Sequence, residues 1–389
     1  MALNFSPAVT ETKAGWRARA YLPVLGLIVA AHAIAFLTYE PGDLVVYVSH
    51  WYERVARLGF GAFSEPFSNY TPPYLYLLWA ASLLGGDAPA IPMIKLVAVA
   101  GGAWFTFALF RFFRTLGVRD AGLAALASLL LPSILLNVSL LGQADTFWVA
   151  ACVLALTAAI EGRLPQVAFW SGVAFAFKAQ AIFFAPFVMH FFLVRRAPIW
   201  CWLIPPAVYV AAMLPAWLAG WHWWYLVNVY FRQALWQPEN RIFISNGGSW
   251  WTIFGQFAPA TAIRFFPLGY ALTLVATVLY LRLKPVTSPK GLLAMATLSA
   301  AFVPFLLPGM HERYFILADV LAFCLAVVTR TRPAIIAAVL IQVGSAAPVA
   351  RWAFQLPHFE IAAPFFILGG MLLLVDVIRN EQAQVGAHV

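Results

Sequence analysis

The sequence predicts an all-helical protein that crosses a membrane many times. Of its 389 residues, 63% are hydrophobic and 10% charged, where a soluble domain carries roughly a quarter charged residues. The mean hydropathy is +0.83. Apolar runs recur along the whole chain, most of them near the ~20 residues that a bilayer-spanning helix needs. No repeat, linker or soluble domain interrupts the pattern, so residues 1–389 read as a single membrane domain.

Basic residues precede the first run, 21–38, and no small-residue cleavage site follows it. Tyr39-Glu40-Pro41 leads straight into more structure, which predicts an uncleaved first helix. The loop over 39–89 holds two further helices. From Asp43 to Phe60, Leu44, Tyr47, Trp51, Val55 and Leu58 recur on one face, and Ser49, His50, Glu53, Arg54 and Arg57 take the other. That is an amphipathic interfacial helix, with Glu53 and Arg57 at a pairing distance of four. Pro72 to Gly85 is apolar but too short to cross, and reads as a helix at or dipping into the outer leaflet. Thr71 is its expected N-cap and Pro72 its first helical residue.

The remaining spans are expected at 90–112, 121–141, 145–160, 165–177, 180–194, 198–219, 264–281, 291–307, 314–329, 333–348 and 361–378, twelve with the first. Two of them, 165–177 and 180–194, are short and meet at Lys178-Ala179-Gln180. Irregular backbone at membrane depth survives only against protein or water, so that junction is expected to line a cavity. A second long outer loop, 220–264, begins with Trp221-His222-Trp223-Trp224-Tyr225.

Twelve crossings place both termini on one side, together with 15 of the 24 Lys and Arg. By the positive-inside rule that side is cytoplasmic. The net charge of +9 therefore reports topology; the basic residues form no stripe of the kind that binds nucleic acid. Sixteen Trp suit interfacial belts. Cys152, Cys201 and Cys324 fall inside apolar runs, with no metal or disulfide pattern.

The unusual polar residues all fall on the outer side. Asp43 follows the first span. Gln143 and Asp145 share a tight turn, Leu141-Gly142-Gln143-Ala144-Asp145. Lys178 and Gln180 flank the half-helix junction. His311, Glu312 and Arg313 stand between two apolar runs, and Asp319 lies seven residues beyond Glu312. Such groups are costly near lipid and mark functional sites. Each also has a plain structural reading: Asp43 as an interfacial residue, Gln143 and Asp145 as helix-end partners, Lys178 as a snorkelling cation, Asp319 as a satisfied core polar group, the Trp cluster as a belt. None of the seven His has a zinc-like spacing partner, so the sequence supports no cofactor and leaves metal dependence open. Together the carboxylates and cations suit a membrane enzyme acting on a lipid-linked phosphate. One carboxylate would take a proton from a hydroxyl, and cations would stabilise a phosphate leaving group.

Five pieces carry a family resemblance. They are Gly42-Asp43-Leu44 with Tyr47; Asn69-Tyr70-Thr71-Pro72-Pro73-Tyr74-Leu75-Tyr76; Gly142-Gln143-Ala144-Asp145; Lys178-Ala179-Gln180; and Met310-His311-Glu312-Arg313-Tyr314. In this order the chain resembles a GT-C superfamily glycosyltransferase, of the bacterial mannosyltransferase-like branch related to PIG-V and PimE proteins. It departs from that branch at Ala179, where Pro is common, and at Thr71, where an Asp-Tyr-Pro-Pro form is frequent.

The resemblance implies a GT-C fold, a polyprenyl-phosphate sugar donor, an outward-facing site in the bacterial cytoplasmic membrane and an inverting single displacement. Asp43 would be the general base. Lys178, Gln180, His311, Arg313 and Tyr314 would bind the donor, with Arg241 or Arg232 reaching the same phosphate. Tyr70, Gln143, Asp145 and Glu312 would shape the site or face the acceptor, a glycolipid or glycan intermediate. A lipid-linked sugar flippase or ion-coupled transporter is the rival reading. Transporters tend to show two similar halves and charges near the midplane, whereas here the halves differ and the charges gather at one face.

Overall fold

The computed structural model describes residues 8–39, 42–356 and 359–386, with side chains described only within 21–383. Glu40, Pro41 and the side chains of Lys13, Arg17 and Arg19 lie outside them. Among the described residues every regular element is helical.

The first helix, α1 (Ala8–Thr38), leads into α2 (Ser49–Leu58) and α3 (Pro72–Gly85) of the first outer loop. Next come α4 (Ala90–Thr115), α5 (Ala121–Ala127) and α6 (Pro132–Leu135), then α7 (Asp145–Ile160), α8 (Leu164–Phe177), α9 (Ala185–Val194) and α10 (Ile199–Leu218). The second outer loop holds α11 (Trp223–Asn240), α12 (Trp250–Phe257) and α13 (Pro259–Ala262). The chain closes with α14 (Phe266–Leu281), α15 (Pro289–Leu306), α16 (Ile316–Thr329), α17 (Arg332–Phe354) and α18 (Ala363–Gly386). The core centres on α7 and α15, which are buried along nearly their whole lengths. α7 packs between α4 and α8, and α15 against α16 and α18.

All twelve expected spans are helical, but they are not alike. Seven described helices are long and apolar enough to cross, and the segment from Ala121 to Leu140 makes an eighth if counted through its bend. That segment was expected as one helix. It bends by 65° between Leu130 and Pro132, because Pro132 has no N–H to donate and its ring clashes with the preceding turn. The other four, Asp145–Ile160, Leu164–Phe177, Ala179–Val194 and Ile316–Thr329, are short. Sixteen residues of α7 rise only ~24 Å against a hydrocarbon core of ~30 Å. All four stop at the same polar junctions, next to Asp145, Lys178 or Arg313. The short helices frame the candidate site.

The interfacial helix forms with a shifted face. A π-helical turn over Leu44–Val48 precedes α2, and its wider hydrogen bonding rotates α2 about its axis. Val48, Trp51, Tyr52 and Val55 turn inward, while Tyr47 and Leu58 are exposed. Glu53 and Arg57 do not pair; Arg54 bonds Glu65 at 2.7 Å instead.

Candidate functional site

Asp43 sits at the start of the π-helical turn, just past α1. What fixes the end of α1 is Lys95, which lies on α4 and is 2% exposed. Its ammonium donates to the backbone carbonyl of Phe36 at 2.7 Å and to that of Tyr39. These are end-of-helix carbonyls that lack helical partners.

Opposite Asp43 lies the turn before α7. Gly142 adopts a left-handed conformation (φ +59°), and a Cβ there would stand 2.9 Å from Leu44 and 3.0 Å from Lys95. Only glycine allows that conformation without strain and that close an approach. The turn delivers Gln143, whose Nε2 donates to Asp43 Oδ2 at 2.7 Å. Asp43 is about a quarter exposed, and its Oδ1 has no hydrogen-bond partner.

Asp145 is in a different state. It is 1% exposed at the first position of α7, where a carboxylate suits the helix dipole. Lys178 Nζ donates to its Oδ1 at 2.6 Å, Trp148 Nε1 to the same oxygen at 2.9 Å, and Asn137 Nδ2 to Oδ2 at 2.8 Å. A carboxylate so fully engaged is a fixed counter-charge, poorly placed to take a proton.

Lys178 owes its position to the break after α8. Its backbone is extended (φ −158°, ψ 140°), which leaves the last carbonyls of α8 without helical donors. Thr71 Oγ1 donates to the carbonyls of Ala176 at 2.7 Å and Phe177 at 3.3 Å, and Tyr230 to that of Phe175 at 2.7 Å. Thr71 does occupy the N-cap position of α3, with Pro72 next, but its hydroxyl makes no cap hydrogen bond. It closes a different helix from the one the sequence suggested. Lys178 also lies 5.3 Å from the centroid of the Tyr70 ring, a cation–π distance, and Trp51 and Tyr74 flank that ring.

The Met310-to-Tyr314 block forms the facing wall. Arg313 Nη1 donates to Glu312 Oε1 at 2.6 Å. Its guanidinium also lies 3.8 Å from Asp43 Oδ2 and 3.7 Å from Asp145 Oδ2. Glu312 is buried; burial alone would raise its carboxyl, and Arg313 and His311 bring it below the usual carboxylate range. The His311 ring lies 3.9 Å from Glu312 and keeps about a third of its surface. Its pKa falls below 6.5 because burial outweighs the pull of Glu312, and Arg313 adds to the fall. Tyr314 packs its ring on His311 and Phe183. The second outer loop holds the block from behind: Asn246 N–H donates to the Met310 carbonyl at 3.1 Å, and Gln237 Nε2 to that of Gly309 at 3.4 Å.

Asp43, Gln143, Asp145, Lys178, Glu312 and Arg313 thus form one contiguous cluster, with Tyr70, His311 and Tyr314 at its edge. Gln180 is buried with an unpartnered Oε1 and no hydrogen bond to the cluster. Arg241 ends α11 in a left-handed turn, exposed, and no contact ties it to the cluster. Arg232 stacks on Tyr225 instead. Asp319 accepts from Ser133 in the core. Sequence reasoning passed over Lys95, Asn137 and Trp148, which lie inside apolar runs; a lysine within a span was the readable signal among them.

No family model matches the chain, and no curated protein does. Solved structures do. A crystal structure of ArnT from Cupriavidus metallidurans bound to undecaprenyl phosphate is similar over 95% of this chain and 78% of that one, with a TM-score of 0.55 and 14% identity. The same protein in the apo state matches over the same shares with a TM-score of 0.50 and 14% identity. At that identity the likeness concerns the fold and selects no branch within the superfamily. This chain is a multi-pass membrane protein with the GT-C fold.

Proposed function

We propose that the protein is an inverting glycosyltransferase that moves a hexose, mannose by the resemblance above, from a polyprenyl monophosphate to a hydroxyl of a glycolipid or polysaccharide intermediate. The observation that carries the reading is the division of labour in the cluster. One carboxylate, Asp43, is partly exposed and its Oδ1 is unpartnered; Arg313, held by Glu312, stands 3.8 Å from Asp43 Oδ2, and Lys178 is held by the buried Asp145 that both cations approach. The neighbouring ArnT structure is bound to undecaprenyl phosphate, which supports a lipid phosphate as the donor here.

In this reading the acceptor oxygen attacks the anomeric carbon while the bond from that carbon to the phosphate oxygen breaks. The acceptor proton passes to Asp43. The negative charge gathering on the departing polyprenyl phosphate is met by Lys178 and Arg313. His311 and Tyr314 would face the donor sugar, and Gln143 would hold the base in orientation.

The site would face the exterior of the bacterial cytoplasmic membrane, with both termini cytoplasmic and twelve crossings in all. Purified protein in liposomes, given a polyprenyl-monophosphate hexose, should release polyprenyl phosphate in the presence of a hydroxyl acceptor. A nucleotide hexose should yield no product. Donor binding without transfer to any acceptor tried would favour the transport reading.

A further inference from the structure

A concavity lies at the opposite end of α4, α7 and α8 from the cluster. It is a groove of about 400 Å³ between α4, α7 and α8. Its floor is the last two turns of α7, where Leu154 and Ala158 are buried and the Thr157 hydroxyl is already spent on the Val153 carbonyl. Its walls are Trp104 and Phe107 on α4 and Phe169 and Trp170 on α8. The mouth is polar. Arg111, Arg163 and Glu161 stand there, and the Glu161 carboxylate is occupied by Arg163 and by Thr115, whose hydroxyl donates to it at 3.2 Å. Arg111 is exposed and has no acidic partner among the described residues. Arg114 and Arg119 add positive charge at the same end.

We propose that this groove holds one anionic phospholipid, with its phosphate at Arg111 and an acyl chain against Trp104, Phe107, Phe169 and Trp170. Charge and polarity select the occupant. The mouth carries a net positive charge, which a zwitterionic headgroup answers less well, and four aromatic residues line the walls, with Gln166 the one amide side chain among the lining residues. Arg111 and Trp104 are seven residues apart on α4, about 10 Å along the helix, so one molecule meets both the rim and the aromatic end. The donor lipid is a poor candidate: Asp145 and Glu161 stand at opposite ends of α7, and its sixteen residues separate the cluster from the mouth by ~24 Å. On the proposed topology the groove opens to the cytoplasmic leaflet.

Native mass spectrometry of the full-length protein in micelles tests this, with dioleoyl phosphatidylglycerol and dioleoyl phosphatidylcholine added in turn. One phosphatidylglycerol per chain should be retained, with a preference over phosphatidylcholine of about tenfold, the worth of one partly shielded charge contact of ~1.4 kcal/mol. Arg111→Gln, at an exposed position, should lose the preference, and Trp170→Ala should weaken retention of both lipids. Equal retention of the two lipids by the unaltered chain would overturn the proposal, as would an undiminished preference in Arg111→Gln. One-for-one displacement by undecaprenyl phosphate would also overturn it and give the groove to the donor.

Discussion

At the scale of single residues, the two aspartates of the cluster share a neighbourhood and differ in what their oxygens already do. Asp145 accepts from three donors and is shut away from solvent; Asp43 is about a quarter exposed and its Oδ1 accepts from none. Removing one member of a buried ion pair strands the other, at a cost of about 3–5 kcal/mol, while replacing both can be neutral. Asp145→Asn should therefore lower the thermal stability measured in detergent, because Lys178 loses its counter-charge at 2.6 Å. The double variant Asp145→Asn with Lys178→Met should regain much of that stability and still transfer no sugar. Recovery of both together would show that the pair serves only the fold.

The readable residues were those whose cost gave them away. Asp43, Lys178 and Arg313 are ionisable groups at the ends of apolar runs, where a charge near lipid is costly. Asn137 and Trp148 were not legible, because one amide and one indole inside an apolar run look like tolerated core residues. Asn137 reaches Asp145 from the segment beyond the Pro132 bend, and Trp148 reaches it from one turn along α7. Arg241 is the converse case. A cation in a long outer loop looked like a phosphate ligand, and the fold leaves it at the exposed end of α11.

At the scale of elements, the site is made by helices that stop. α7 begins, α8 ends and the 179–194 segment begins at the level of the cluster, and α16 begins just beyond Arg313. Each stop exposes backbone groups that a side chain must satisfy: Lys95 for α1, Thr71 and Tyr230 for α8. The stops themselves were legible as short apolar runs. The partners were not, since Thr71 and Ala176 are 105 residues apart. The inward face of α2 was misread for a related reason. A π-helical turn shifts the hydrogen bonding by one residue, and a strict helical period carries no sign of it.

The Gly142 turn is the most exacting of these junctions. An alanine there needs a left-handed backbone, about 1–2 kcal/mol, and brings its Cβ against Leu44 and Lys95. Gly142→Ala should separate Gln143 from Asp43 and cut the transfer rate more than it cuts stability. The comparison of initial rate with melting temperature checks it; loss of stability alone would mean the turn only closes the fold.

At the scale of the whole molecule, the polar cluster and the lipid-facing groove occupy opposite ends of α4, α7 and α8, which gives the bundle a direction. The topology proposed above, from the positive-inside count, would turn that direction into an orientation. The three cysteines are buried, so they offer a silent background for labelling. In intact cells a membrane-impermeant maleimide should modify Ser68→Cys in the first outer loop and spare Arg119→Cys until the membrane is permeabilised. The reverse pattern would invert the topology and move the proposed chemistry to the cytoplasm. The GT-C fold was legible from five short motifs in order; the number of full crossings was not, because among the described residues length and composition qualify seven helices, eight with the bent pair, and leave four short ones that stop at the cluster.

The central claim is that Asp43 takes the acceptor proton while the cations hold the donor, and Asp43→Asn separates these roles. Asparagine keeps the shape and can still accept from Gln143, so the site should stay assembled. With reconstituted protein, donor affinity and single-turnover transfer are measured on the same preparation. The account predicts unchanged donor binding with transfer reduced by about 10²–10⁴-fold, the usual worth of a general base. Full transfer by the variant would contradict it.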